Sequence, residues 1–167
     1  TVWPHGVLFR DAEQEMRKNM IRQDLVESVI GLGKNLFFGS SMECCLIVCR
    51  KNKSLDRKGK IIFIDGKNEI KLERSDAYLK EEHINKLAGA YHDFQDVEGF
   101  AKVLENSDIL ENNQGNLSIQ LYVKSQGETS SDSVEELLSK SIQNQYSLQQ
   151  GFDTLLNKLN GLGIQVV

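Results

Sequence analysis

Three short runs rich in β-branched and apolar residues, interleaved with segments of helical periodicity, restrict the fold more than any other feature of this chain. Residues 25–32 (LVESVIGL) are Val/Ile-rich and too short for a packed helix. Residues 44–50 (CCLIVCR) are almost unbroken in apolarity, and 61–65 (IIFID) repeat the theme. Runs of this length and composition are strands, and a continuous apolar run predicts a strand buried on both faces. Between the second and third lies 51–60 (KNKSLDRKGK), with five cations and one acid, read as the solvated loop of a hairpin that places both strands at a sheet edge. Thr1-Val2-Trp3-Pro4 reads as the end of a further strand, because proline cannot donate to a ladder.

Helices fill the intervals. After Gly6 the run Val7-Leu8-Phe9 leads to Asp11, an N-cap with Gln14 three positions on, and a helix to about Gln23 whose apolar stripe is Ala12, Met16 and Met20. Residues 75–94 carry Ile84, Leu87, Ala88 and Tyr91 at i, i+3, i+4 and i+7, the spacing of a packed helical face. Residues 117–123 alternate Leu117, Ile119, Leu121 and Val123 with polar partners, as a half-buried strand would. Strands alternating with helices predict an α/β layered domain. It ends at 123, because 124–132 (KSQGETSSD) has linker composition and 133–167 is a helical tail. The tail's narrow stripe of Leu138, Ile142, Phe152, Leu156 and Leu159 wants a partner helix or folds back on its own domain.

Composition removes several classes. With 167 residues, 40% of them hydrophobic, the chain can bury a core without disulfides or metals. No run approaches the roughly 20 apolar residues of a membrane helix, which with no signal-peptide pattern predicts a protein of the reducing cytoplasm. A formal charge of −4 makes any nucleic-acid contact local. Cys44 and Cys45 are neighbours pointing to opposite faces of a strand, and no His lies at ligand spacing from Cys49, so the cysteines are core thiols and no metal site is expected.

Several ordered blocks carry a resemblance: PHGVLFR at 4–10, IGLGKNLFFGSSMECCLIVCRKNK at 30–53, KGKIIFID at 58–65, EEHI at 81–84, GFAKV at 99–103 and GNLSIQLYV at 115–123. Together they resemble the latter half of the modification (methyltransferase) subunit of type I restriction-modification systems. The resemblance implies the C-terminal half of a Rossmann-like sheet, in an adenine-specific DNA methyltransferase that takes its methyl group from S-adenosylmethionine. It implies double-stranded DNA, a specificity subunit, a second modification subunit and a restriction subunit as partners, with the tail residues as docking anchors. Such enzymes flip the adenine out of the duplex, because its amine is out of reach while stacked. An aromatic residue shortly before a late strand meets that base, and Phe37 fits the place best, with Phe38 as its alternate.

The chain departs from the family in ways that matter. The glycine-rich cofactor turn and the Asn-Pro-Pro-aromatic tetrapeptide that holds the adenine amine are absent from all 167 residues, and the only proline is Pro4. Lys80 stands where the family usually has a Thr cap, and Gln120-Leu121 where it usually has Pro-Arg. By itself the chain is therefore expected to be inactive, to bind no cofactor, and to self-associate through a cut sheet edge. The rival reading is a non-enzymatic docking module from a truncated methyltransferase gene. His5 and Gly6 fall where open α/β sheets place ligands, although the sequence favours His5 as a hydrogen-bonded structural residue. Arg10 either contacts a DNA phosphate or pairs with Asp11 or Glu13. Lys51, Lys53, Arg57 and Lys58 either supply phosphate contacts or form a charged loop tip.

Overall fold

A computed structural model describes residues 1–37, 41–73 and 76–124. Its elements are β1 (Val2–Pro4), α1 (Gln14–Arg22), β2 (Val26–Leu32), β3 (Cys44–Cys49), β4 (Lys60–Gly66), β5 (Lys71–Glu73), β6 (Asp76–Tyr78), α2 (Glu81–Asp93), β7 (Ala101–Glu105) and α3 (Asn106–Asn113). The linker from 125 on, the tail with Leu138, Ile142, Phe152, Leu156 and Leu159, and Phe38 lie outside the described residues. No helix among the described residues is long and apolar enough to cross a membrane.

The main sheet has the order β1-β3-β2-β4-β7, and β5 and β6 form a separate ribbon. β3 runs antiparallel to both β1 and β2, whereas β2 and β4 are parallel, so β1, β2 and β4 share one direction. Cys44–Cys49 and Lys60–Gly66 thus do not form the hairpin expected of them. β2 lies between them and makes the antiparallel pair with β3 itself. The reason lies in burial. β2 is buried at every position, including Glu27 and Ser28, so its polar residues disguise the central strand. β3, more apolar in sequence, buries Cys45 and Ile47 on one face and only half-covers Leu46 and Val48 on the other.

The alternation of the strands divides the core in two. Val29, Cys45, Ile47, Ile61 and Phe63 face one side, closed by Leu8, Ile21, Ile109, Leu117 and Ile119. Ile30, Leu32, Ile62 and Ile64 face the other, closed by Leu87 and Ala90 of α2. α2 covers only part of that second face. An apolar groove of about 370 Å³ remains beside it, where Val2, Leu46, Val48 and Ile84 line the wall.

Several local expectations are corrected. The first helix begins at Gln14 rather than at Asp11, since Asp11–Glu13 forms a 3-10 turn without a side-chain cap, and Gln14 Nε2 donates to Gln114 Oε1 instead. Its buried face is Arg17 and Ile21, while Met16 is 40% exposed. The second helix starts at Glu81, because 76–78 pair with 71–73. Ile84 on its expected stripe is exposed, and Ala90 is buried instead. Residues 117–123 do not form a strand: Ile119–Leu121 is a 3-10 turn that plugs the sheet with Leu117, Ile119 and Val123.

Two charged networks tie the amino ends of β2 and β4 together. Lys53, its side chain fully buried, donates to Asp24 Oδ1 at 2.6 Å and to the Lys60 carbonyl at 2.7 Å. Asp24 also accepts from the Gly59 amide at 3.0 Å and from Asn106 Nδ2 at 2.9 Å. Alongside, Glu27 accepts from Tyr91 Oη at 2.5 Å and from Arg50 Nε at 3.1 Å, with Arg57 3.7 Å away. Burial alone would raise the Asp24 pKa, but the hydrogen bonds from Lys53, Gly59 and Asn106 outweigh it and hold the carboxyl below its ordinary 3.8. Asp24→Asn should therefore cost about 2 kcal/mol at neutral pH, as expected for breaking a charge-assisted buried contact. Because the folded-state pKa is depressed, this stabilisation is complete above the unfolded value and lost as pH falls through the folded one. Urea unfolding at pH 7 should separate the two proteins, and their stabilities should converge below pH 3.8.

Candidate functional site

In open α/β sheets, ligands are held beyond the carboxyl ends of parallel strands. Here β1 ends in Pro4-His5-Gly6, β2 in Leu32-Gly33 and β4 in Gly66-Lys67, all at one edge of the sheet. The loops at this edge pack backbone against backbone. A Cβ on Gly33 would stand 2.6 Å from the Lys67 carbonyl oxygen, so no larger residue fits there without moving the loop after β4.

The described parts of the connection from β2 to β3, residues 33–37 and 41–43, lie at this edge. Lys34 and Glu43 pair at 3.6 Å across its base, and the Ala77 amide donates to the Asn35 carbonyl at 3.1 Å, fastening it to the β5–β6 ribbon. Leu36 turns into the core, and its neighbour Phe37 consequently turns outward, 40% exposed. An exposed aromatic ring on an anchored loop is poised for stacking on a planar partner.

His5 and Gly6 sit at the same edge. The His5 amide donates to the Glu43 carbonyl at 3.2 Å, joining the end of β1 to the start of β3. Its imidazole makes no hydrogen bond among the described residues and instead meets Phe9 edge-on, with centroids 6.0 Å apart. The residue is thus held by its backbone, not through the ring hydrogen bond expected of a structural histidine. Arg10 pairs with neither Asp11 nor Glu13, and its guanidinium lies against Gly6.

The basic loop belongs elsewhere. β3 runs against its neighbours, so residues 51–59 connect its end to the start of β4 at the amino-terminal edge of the parallel strands, opposite His5 and Phe37. Lys53 and Arg57 are committed to the networks described above. Arg57 lies over the Phe94 ring at 4.6 Å and donates to the His92 carbonyl at 2.7 Å. Lys51 and Lys58 are exposed and take part in none of the ion pairs found among the described residues. The candidate residues therefore divide between two ends of the sheet.

Arg17, which gave no functional signal in the sequence, organises the site from beneath. It is 2% exposed, and its Nη1 donates to the Val7 and Arg10 carbonyls, each at 2.8 Å, while its Nε donates to the Gly115 carbonyl at 3.1 Å. Burial lowers its pKa, opposed by the charges of Glu13 and Asp11. In the sequence it lies off the expected stripe of Ala12, Met16 and Met20, one cation among several on that helix, and nothing sets it apart. Of the three cysteines expected in the core only Cys45 is buried, with Cys44 half-buried and Cys49 exposed at the end of β3; burial raises the Cys45 thiol to about 11, leaving it protonated and inert at neutral pH.

This arrangement is that of a Rossmann-like α/β domain, with the candidate loops at the carboxyl ends of its parallel strands. Residues 1–131 match the N-6 DNA Methylase family, and the chain belongs to that family. It is 38% identical over 126 residues to the type I restriction enzyme MjaVIII methylase subunit of Methanocaldococcus jannaschii, which covers 71% of this chain and 21% of that protein. It is 36% identical over 124 residues to the MpnII methylase subunit of Mycoplasma pneumoniae, covering 74% of this chain and 22% of that one. The crystal structure of a type I restriction-modification methyltransferase subunit from Streptococcus thermophilus superimposes with a TM-score of 0.68 at 34% identity, over 74% of this chain and 26% of its own. This chain thus spans about a fifth of the length of the curated relatives it matches.

Replacing Arg17 by Met keeps most of the volume and removes the donors from three carbonyls, that of Gly115 buried and those of Val7 and Arg10 partly so. The substitution should lower the unfolding free energy by about 3 kcal/mol. Equilibrium urea denaturation would measure this, and amide exchange at Phe9 and Arg10 should quicken beyond the global effect.

Proposed function

We propose that this chain is a working part of the modification subunit of a type I restriction-modification system, and that the complete subunit transfers a methyl group from S-adenosylmethionine to the exocyclic amine of adenine in DNA. The observation that carries the reading is Phe37, 40% exposed on an anchored loop at the carboxyl-end edge. There it supplies a stacking surface for an adenine turned out of the duplex. His5 and Gly6 line the same edge. The family match supports the reading, and the chain's own sequence bears on the division of labour in it. A glycine-rich cofactor turn and an amine-holding Asn-Pro-Pro-aromatic segment occur nowhere in its 167 residues.

The partners in this reading are double-stranded DNA, a specificity subunit, a second modification subunit and, in the full assembly, a restriction subunit. The tail residues Leu138, Ile142, Phe152, Leu156 and Leu159 are its docking anchors. Lys51 and Lys58 are free to make phosphate contacts at the far edge, apart from the base pocket. Among the described residues β1 is bonded on one side only, and beside it lies the apolar groove lined by Val2, Leu46 and Val48. Both features suit a sheet that continues past β1 in the complete subunit, and in the isolated chain they favour self-association.

Two measurements test the reading. In the assembled complex, Phe37→Ala should slow methyl transfer about 5-fold to 100-fold, the worth of one stacking contact of about 1 to 3 kcal/mol, while DNA affinity changes little. Equal losses in rate and affinity, or none, would assign Phe37 to structure. Calorimetric titration of the 167-residue chain with S-adenosylmethionine should give no binding heat, and one-to-one micromolar binding would overturn the division of labour proposed here.

A further inference from the structure

The turn after β1 contains a glycine kept for space rather than for conformation. A Cβ built on Gly6 would lie 2.8 to 2.9 Å from the Nε, Nη2 and Cζ atoms of Arg10, so the guanidinium occupies the volume that any other residue would fill. The backbone that carries this arginine is held. The Arg10 amide donates to the Gly6 carbonyl at 3.1 Å, and the buried Arg17 donates to the Arg10 and Val7 carbonyls. Despite this, the Arg10 side chain is exposed and forms no hydrogen bond or ion pair among the described residues. Its sequence neighbours Asp11 and Glu13 leave it unpaired, although both are charged. A cation carried on a held backbone, reached by solvent and given no counter-ion among the described residues is available to meet an oxyanion from outside, because a planar guanidinium with parallel N–H groups binds such groups in pairs. Beside it, Phe9 is 46% exposed and packs edge-on against His5, supplying an apolar wall on the same turn.

From this geometry we infer that Arg10, seated on Gly6, is a ligand-contacting residue whose oxyanion is a backbone phosphate of the DNA strand bearing the target adenine. The inference rests on the methyltransferase reading and deepens it. It gives the carboxyl-end edge a contact that positions the strand, at the same edge of the sheet as the aromatic residue assigned to the base. The chemistry of the seat is shared by one other oxyanion of that reaction, the carboxylate of S-adenosylmethionine, and the experiment separates the two.

The measurement is the affinity of the assembled complex for a duplex bearing its site, taken over a series of salt concentrations, together with the KM for S-adenosylmethionine. For Arg10→Gln the Kd for DNA should rise about 5-fold to 10-fold near 0.1 M salt, and the slope of log Kd against log salt should fall by about one, the signature of one lost phosphate contact. Arg10→Lys should keep the slope and recover part of the affinity. Gly6→Ala should reproduce the loss by pushing the guanidinium off its seat, and the thermal unfolding of all three variants should stay near that of the parent. An unchanged slope for Arg10→Gln overturns the phosphate contact, and full DNA affinity in Gly6→Ala overturns the seat. A raised KM for S-adenosylmethionine with intact DNA binding overturns the phosphate assignment in favour of the donor's carboxylate. Should the wild-type complex bind DNA but transfer no methyl group, the methyltransferase reading is what fails, and the salt slopes still judge Arg10.

Discussion

A guanidinium buried among carbonyl oxygens is the contact on which this domain's working edge depends. Arg17 joins the turn that leaves β1 to the segment after α3, a hundred residues along the chain, through its bonds to Val7, Arg10 and Gly115. A charge so deeply placed is costly unless its donors find acceptors, and backbone carbonyls at the end of a turn are acceptors that would otherwise lack partners. The two deficits cancel. The outcome is a turn that cannot drift relative to the core, carrying His5, Phe9 and Arg10 at fixed positions beside the end of the sheet.

The opposite edge solves a different problem. β2 is the central strand, yet it carries Glu27 and follows Asp24, two acids that must be neutralised as the sheet closes over them. The loop after β3 supplies the cations, and so Lys53 and Arg57 turn inward. Arg57 is further held by the faces of Tyr91 and Phe94. A cluster of basic residues in a sequence is thus no index of a nucleic-acid surface until the acids that consume it have been found. Here they lie 23 or more positions earlier in the chain.

The strands, the two longer helices and the α/β class were legible because burial imposes periodicity, and β2, β3 and β4 all fall where their runs of Val, Ile and Cys predict. Pairing was not legible. The order β1-β3-β2-β4 is set by which strand hides its polar residues best, and Glu27 made β2 look like a poorer central strand than β3. The alternation in 117–123 misled for a related reason: Leu117, Ile119 and Val123 are buried as a plug held by turns, and a period of two does not require extended backbone. At the candidate site, Phe37 and His5 were visible through their place in the ordered motifs, and their shared edge follows from the parallel direction of β1 and β2. Arg17 was invisible, because its role is written in carbonyl oxygens, which every residue possesses.

Placing the charged networks and the ligand-facing loops at opposite ends of the same strands makes them energetically separable. β2 spans seven residues, a length of about 23 Å, well beyond the roughly 7 to 10 Å within which substitutions interfere with one another. Changes around Asp24 and Glu27 therefore tune how firmly the sheet is held without reaching the candidate loops at the other end, and exposed side chains of those loops, such as Phe37 and Arg10, can change without drawing on the sheet's stability. A lineage can drift at one end while selection acts on the other.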